Sequence, residues 1–166
     1  MGDPPKVLIM MGSDSDLPTM QEAADILAKF DVPYEMRISS AHRSPVRTMA
    51  LASEAAGRGI RIIVAGAGMA AHLAGVVAAK TTLPVIGVPM PGGALNGVDA
   101  LYSTVQMPGG IPVATMAIGK AGARNAGLFA VQILALTDNR LAAALEGYRH
   151  EMDLEVAQKD AALQKR

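Results

Sequence analysis

The chain has 166 residues, with 15 Lys plus Arg balancing 15 Asp plus Glu, and no cysteine. Zero formal charge argues against a nucleic-acid surface, which needs a basic excess, and 3% aromatics without tryptophan offer no platform for stacking bases. Lack of cysteine excludes disulfides, thiolate nucleophiles, iron–sulfur clusters and cysteine zinc sites.

In chain order, apolar β-rich runs alternate with helix-like segments. The first strand is expected at Val7–Met11, and it ends in the polar loop Gly12-Ser13-Asp14-Ser15-Asp16. Leu17–Phe30 then carries a helical stripe of Met20, Ala23, Ala24, Leu27 and Ala28, with Pro18 in its first turn. A second strand, Tyr34–Ile38, ends in Ser39-Ser40-Ala41-His42-Arg43, and Ser44-Pro45 opens a helix that runs to near Gly57. A third strand, Arg61–Ala65, leads into Gly66-Ala67-Gly68-Met69-Ala70-Ala71-His72 and a short helix, His72–Lys80. Strands at Val85–Val88 and Val113–Ala117 flank a helix at Asn96–Gln106. Pro89–Gly93 and Pro108–Pro112 read as loops, the first of them mobile, with Gly92-Gly93 and Gly109-Gly110 as turn chemistry. A nearly uncharged helix, Arg124–Thr137, and a final helix capped by Asn139 complete the chain; the last turns strongly polar after Glu146, and His150 there reads as a solvated surface residue.

Alternating βα units predict an α/β fold: three layers, α-β-α, around a parallel sheet with right-handed crossovers, in the flavodoxin-like order 2-1-3-4-5, with a C-terminal helix extension. The length fits one domain over 1–166, with a core at about 6–137 and a helical extension at about 139–166. Only 18% of residues are charged, and no apolar run is long enough to span a membrane. Apolar surface is therefore expected to be hidden between subunits of a homo-oligomer. The start of the chain shows no basic-then-apolar leader, so a cytoplasmic location is expected.

Ligands of open α/β sheets bind beyond the carboxyl ends of the strands, and the order 2-1-3 brings the three polar loops to one edge. In the first loop, Ser13 offers a hydroxyl, backbone N–H groups suit an anion, and Asp14 or Asp16 suits sugar hydroxyls. Plain helix capping explains the same residues, and paired aspartates also suit a magnesium ion. In the second loop, His42 fits a general acid/base, Arg43 a phosphate fork and Ser40 a phosphate donor; a capping serine beside solvated basic residues is the alternative. The third loop lets a ligand approach the backbone at Gly68 and Ala70, and His72 binds a ligand or caps the helix that follows. Neither a phosphate-binding Gly-x-x-x-x-Gly-Lys-Ser/Thr nor a complete dinucleotide Gly-x-Gly-x-x-Gly is present, so no nucleotide cofactor is expected.

These loops carry a resemblance. Gly12-Ser13-Asp14-Ser15-Asp16, Ser40-Ala41-His42-Arg43-Ser44-Pro45, Gly66-Ala67-Gly68, Ala71-His72-Leu73 and Ala94-Leu95-Asn96-Gly97 are typical blocks, as is the run from Gln106 to Thr115 followed by Ala117-Ile118-Gly119. Over about Val7 to Leu136 the chain resembles the N5-carboxyaminoimidazole ribonucleotide mutase family of purine biosynthesis. The resemblance implies a homo-octamer with sites completed by neighbouring chains. It also implies a single catalytic domain, a phosphorylated imidazole ribonucleotide as substrate, and no need for ATP, metal or biotin. Carboxylate would move from the exocyclic nitrogen to ring carbon 4 by decarboxylation and recarboxylation. By the same resemblance His42 shuttles the proton, Ser13, Ser40 and Arg43 bind phosphate, and Asp16 binds ribose. Gly68, Ala70, His72 and Leu73 form the wall that confines carboxylate or carbon dioxide.

The sister carboxylase, acting on aminoimidazole ribonucleotide with free carbon dioxide, typically has lysine after the histidine; Arg43 favours the mutase. An electron carrier would need aromatic rings in the loops, and a phospho-receiver would need an aspartate where Ala65-Gly66 stands. Three positions depart from the family: Met69 for its usual Gly, Ala74 for Pro, and Pro91-Gly92-Gly93 for a more polar stretch.

Overall fold

The structure, a computed structural model, describes residues 3–165. Five strands form one parallel sheet: β1 (Val7–Met11), β2 (Tyr34–Ile38), β3 (Ile62–Ala67), β4 (Val85–Pro89) and β5 (Ala114–Thr115). Their order is β2-β1-β3-β4-β5, as the alternation of elements predicts. Six helices connect or follow them: α1 (Leu17–Lys29), α2 (Pro45–Glu54), α3 (Leu73–Ala78), α4 (Val98–Val105), α5 (Lys120–Ala135) and α6 (Asn139–Leu163).

β1 and β4 are buried at every position, because parallel strands covered by helices on both faces need apolar residues throughout. On one face Leu8, Met10, Ile63 and Ala65 pack with Ala52 of α2 and Leu73, Ala74 and Val77 of α3. Beneath the other face lies α1, whose Met20, Ala23, Ala24 and Leu27 are fully buried, with α5 alongside at Gly127. β2 is a half-buried edge, and its Glu35 pairs with Arg37 and Arg58. Burial pushes the Glu35 carboxyl up, but the two guanidinium partners outweigh it and hold the group below the usual carboxylate range.

Several element ends differ from the sequence-based expectation. β5 keeps only Ala114 and Thr115, since this edge strand pairs on one side alone, with Ile86 and Gly87 of β4. Helix α5 begins at Lys120, four residues before Arg124, because Gly122 lies directly against the Ala117 carbonyl, where any Cβ would collide. Asp138, not Asn139, caps α6, its carboxylate accepting from the N–H groups of Arg140 and Leu141.

The chain divides into two compact units, one up to Ala130 and one from Val131. The first contains the whole sheet and all the residues discussed below as a site. The second holds the end of α5 and α6, in which Leu141 is buried and nearly every residue after Glu146 is exposed. Among the described residues, no helix is long and apolar enough to cross a membrane.

Candidate active site

Parallel register sets the carboxyl ends of the first four strands side by side: Met11 lies opposite both Ile38 and Gly66, and Ala67 opposite Pro89. The four loops that follow enclose a cavity of about 510 Å³. Ser13, Asp16, Ser40, His42, Arg43, Gly68, Ala70, His72 and Leu73 all line it. Asp14 does not.

The first loop is a 3₁₀ turn, and its polar groups mostly satisfy one another. Asp16 Oδ2 accepts from the Ser13 N–H at 3.2 Å, and Ser13 Oγ accepts from the Ser15 N–H at 3.3 Å, a reciprocal cap. Ser13 Oγ donates to Asp14 Oδ1 at 3.0 Å. The Gly12 N–H is taken by the Gly66 carbonyl at 3.2 Å, and the Asp16 N–H by the Ser13 carbonyl at 3.2 Å. The amides of Gly12, Ser13, Ser15 and Asp16 are thus bonded within the protein, the capping arrangement that the sequence also allows. Partial burial raises the Asp16 carboxyl above its ordinary value, although the Ser13 N–H bond works against the rise.

The second loop is fixed from below. The buried hydroxyls of Ser39 and Thr48 share a hydrogen bond of 2.8 Å that ties the end of β2 to α2. Ser40 Oγ accepts from the Arg43 N–H at 3.1 Å, which leaves its own proton free to donate. Ser44 stands at the N-cap of α2, but its side chain bonds Ser40 rather than the helix. Arg43 reaches across to the first loop, where Nη2 donates to the Gly12 carbonyl at 3.0 Å. A guanidinium has five N–H donors, so most remain available to an anion.

His42 Nε2 and His72 Nδ1 stand 2.8 Å apart, with the rings edge to face at 79°. This contact joins the loops after β2 and β3, which β1 separates in the sheet. His72 occupies the N-cap of α3 but makes no side-chain capping bond, so its ring is committed to His42.

The cavity floor is methionine. Gly66 has no side chain because Met20 Sδ and Met90 Cε fill that space, and a Cβ on Gly68 would lie 3.3 Å from Met90 Cβ. Met90 is buried, its N–H held by the Ala67 carbonyl at 2.9 Å. Sequence reasoning missed Met90: an apolar residue at a strand end carries no signal of lining a site. Ser15, Ala41 and Pro91-Gly92-Gly93 complete the lining. Among the described residues, no three His, Asp or Glu side chains gather as a metal site requires.

Comparison with known proteins identifies the family. Residues 6–155 match the AIR carboxylase family. The chain is 59% identical over 145 residues to an N5-carboxyaminoimidazole ribonucleotide mutase of Bacillus subtilis, covering 87% of this chain and 90% of that one. It is 53% identical over 164 residues to the mutase of the same name from Mycobacterium tuberculosis, covering 99% and 93%. The crystal structure of Treponema denticola PurE superposes with a TM-score of 0.86 at 29% identity, covering 96% of this chain and 98% of that one. The chain belongs to the AIR carboxylase family.

Proposed function

We propose that the chain converts N5-carboxyaminoimidazole ribonucleotide to 4-carboxy-5-aminoimidazole ribonucleotide in de novo purine biosynthesis. The observation that carries this reading is the histidine pair of 2.8 Å set on the same cavity as Arg43, Ser40, Ser13 and Asp16. Substrate and product are isomers, so the reaction needs no ATP, and proton transfer is the one service the protein must supply chemically.

In this mechanism the bond between the exocyclic nitrogen and the carboxyl carbon breaks. Its electron pair stays on nitrogen, which takes a proton from His42, and carbon dioxide is freed. Ring carbon 4 then attacks carbon dioxide and yields its proton back to His42. His72 contacts His42 and selects which ring nitrogen carries the proton. Arg43, Ser40 and Ser13 grip the phosphate, with Ser13 exchanging its bond to Asp14 for one to the ligand. Asp16 accepts from the ribose hydroxyls, while Gly68, Ala70, His72 and Leu73 confine the small fragment. Holding it in line replaces a bimolecular encounter with an intramolecular one.

Residues 1–166 act as a single catalytic domain, with the helical part after about residue 139 as an extension. Exposed Leu95, Val98, Tyr102 and Val105 around α4 support assembly into a homo-oligomer, the octamer being the form that the family resemblance implies. A cytoplasmic site of action suits a metabolic step of this kind.

The test is product formation from N5-carboxyaminoimidazole ribonucleotide without ATP or added bicarbonate, comparing wild type with His42→Asn. Isomerisation by the wild type alone supports the reading. No isomerisation, but carboxylation of aminoimidazole ribonucleotide once carbon dioxide is supplied, would replace it with the sister carboxylase.

A further inference from the structure

The turn that carries His42 rests on a buried pair of hydroxyls. β2 ends at Ile38, and beyond it the Ser39 N–H still donates to the Met11 carbonyl at 2.8 Å. Residues 40–44 then leave the sheet, and their backbone bonds run within the turn itself. The Ser40 carbonyl accepts from the Ser44 N–H at 2.9 Å and from Ser44 Oγ at 3.0 Å, while the Ser40 N–H donates to Ser44 Oγ at 3.1 Å. Thr48, one turn into α2, ties this unit back to the sheet. Its Oγ1 lies 2.8 Å from Ser39 Oγ, and both residues are buried. The Thr48 N–H donates to the Ser44 carbonyl at 3.0 Å, so the bridge closes a ring from Ser39 through the turn and back. Thr48 and Ala52 are the two buried residues of α2, so the first turn of this helix is seated on a hydroxyl. A valine of the same shape would bury as well, but a hydrogen bond also constrains distance and angle. From this seat the side chains diverge. Ala41 packs against the core, Arg43 reaches the Gly12 carbonyl at 3.0 Å, and His42 reaches His72 at 2.8 Å. Arg43 thus has its own tie to the first loop. His42 meets a ring on the loop after β3, so the contact depends on where the turn sits.

From this geometry we infer that Ser39 and Thr48 are positioning residues: their buried hydroxyl bridge sets the turn so that His42 Nε2 stays within reach of His72 and of the reacting atoms. The inference rests on the reaction proposed above. Neither residue lines the cavity, so neither touches substrate and both act through His42. The role falls on turnover rather than on binding. Proton transfer tolerates displacement poorly, and a shift of about 1 Å costs about 10²-fold in rate. Phosphate affinity is less exposed to such a shift, because Arg43 keeps its bond to the Gly12 carbonyl.

The experiment compares steady-state turnover of N5-carboxyaminoimidazole ribonucleotide by wild type, Thr48→Ser, Thr48→Val and the double variant Ser39→Ala with Thr48→Val. Urea denaturation establishes that each protein is folded in the assay. Thr48→Val alone leaves the Ser39 hydroxyl buried without its partner, whereas the double variant removes both groups, an exchange that is nearly neutral for stability. Its kcat should nevertheless stay at least about tenfold below wild type, with KM within about twofold. Thr48→Ser keeps the bridge and should keep kcat close to wild type. A double variant with wild-type kcat overturns the inference, as does a loss confined to KM, or a loss as large in Thr48→Ser as in Thr48→Val. Crystal structures of wild type and double variant give a readout independent of activity. The contact between His42 Nε2 and His72 Nδ1 should open beyond about 3.5 Å in the variant, and an unchanged contact overturns the inference. If the double variant does not fold, Thr48→Val is judged by the same kcat against KM split and the same contact. If the wild type instead carboxylates aminoimidazole ribonucleotide only from dissolved carbon dioxide, the reading of the reaction fails separately. The same variants are then compared in that activity: a fall in kcat supports the positioning role, and an unchanged kcat overturns it. Absence of product from either substrate overturns both.

Discussion

His42 Nε2 and His72 Nδ1 meet at 2.8 Å, so one of these two nitrogens carries a proton and the other presents a lone pair. Both rings cannot be cationic in this arrangement, because two N–H groups would then face each other. The contact is an arrangement suited to the proton transfer proposed for His42. Replacing His42 by Asn keeps a polar side chain but removes the titrating group. Turnover should fall by about 10²–10⁴, the usual worth of a positioned general acid/base, while KM changes little. Steady-state kinetics on both proteins check this, and a variant with near-normal kcat would remove His42 from the mechanism.

Arg43 lines the cavity and is held by the Gly12 carbonyl at 3.0 Å. Its proposed partner, phosphate, is bound before and after the chemical step, so Arg43→Ala should weaken ground and transition states alike. Affinity for the carbon-carboxylated product should drop about 10- to 100-fold, in line with a charge-assisted hydrogen bond, and kcat should change much less. Calorimetric titration of the product into each protein reads the effect. Unchanged affinity would assign the phosphate elsewhere.

Strand positions and their order are legible in the sequence because β-rich apolar runs such as Val7–Met11 are bounded by turn residues and alternate with helical stripes. Element ends are less so. Gly122 looks like a helix breaker until the Ala117 carbonyl beside it shows why no larger residue fits. Within the site, loop membership was legible, but side-chain direction was not. Asp14 and Asp16 lie two residues apart on a 3₁₀ turn, which points them to different sides; only Asp16 lines the cavity. The histidine pair depends on how two loops separated by β1 lean together, and no residue spacing encodes that distance. Met69 stands out in sequence as a departure from the family's usual Gly, but its positive φ is legible only in the structure.

Partial burial raises the Asp16 carboxyl, so the folded protein binds a proton there more tightly than the unfolded chain does. Between the unfolded value and the raised folded value the native state carries more protons, and the Asp16 contribution to stability declines as pH rises through that window. Ligand binding runs the other way. In the proposed binding mode ribose hydroxyls would donate to the ionised carboxylate, so acidification into the window should weaken binding. Asp16→Asn keeps an oxygen to accept from the Ser13 N–H but cannot titrate. It should bind the ribonucleotide less tightly at neutral pH, and the ratio of wild-type to variant affinity should shrink toward acid. That ratio cancels the phosphate's own titration, which both proteins share. A ratio independent of pH would show that Asp16 does not bind the ribose as a carboxylate.

Gly66 couples the core to the cavity floor. A methyl group there would lie 2.6 Å from Met90 Cε and closer still to Met20 Sδ. Both are ends of flexible side chains, so Gly66→Ala should fold, with the thioethers forced to turn aside at a cost of about 1–3 kcal/mol. Met20 is buried in α1 and has little room, whereas Met90 borders the cavity and can swing into it. The variant should therefore lose stability and also bind the ribonucleotide more weakly, although Gly66 itself donates no group to the site. Truncating Met90 alone leaves a void, but truncating it in the Gly66→Ala background removes one of the two collisions and opens space beside the other. The cycle of Gly66→Ala, Met90→Ala and the double variant should show favourable coupling, above the few tenths of a kcal/mol expected for independent sites. Urea denaturation gives each stability and calorimetry each affinity. Strict additivity in both would mean that the strain is relieved through Met20 instead, and that the floor of the site is independent of the core.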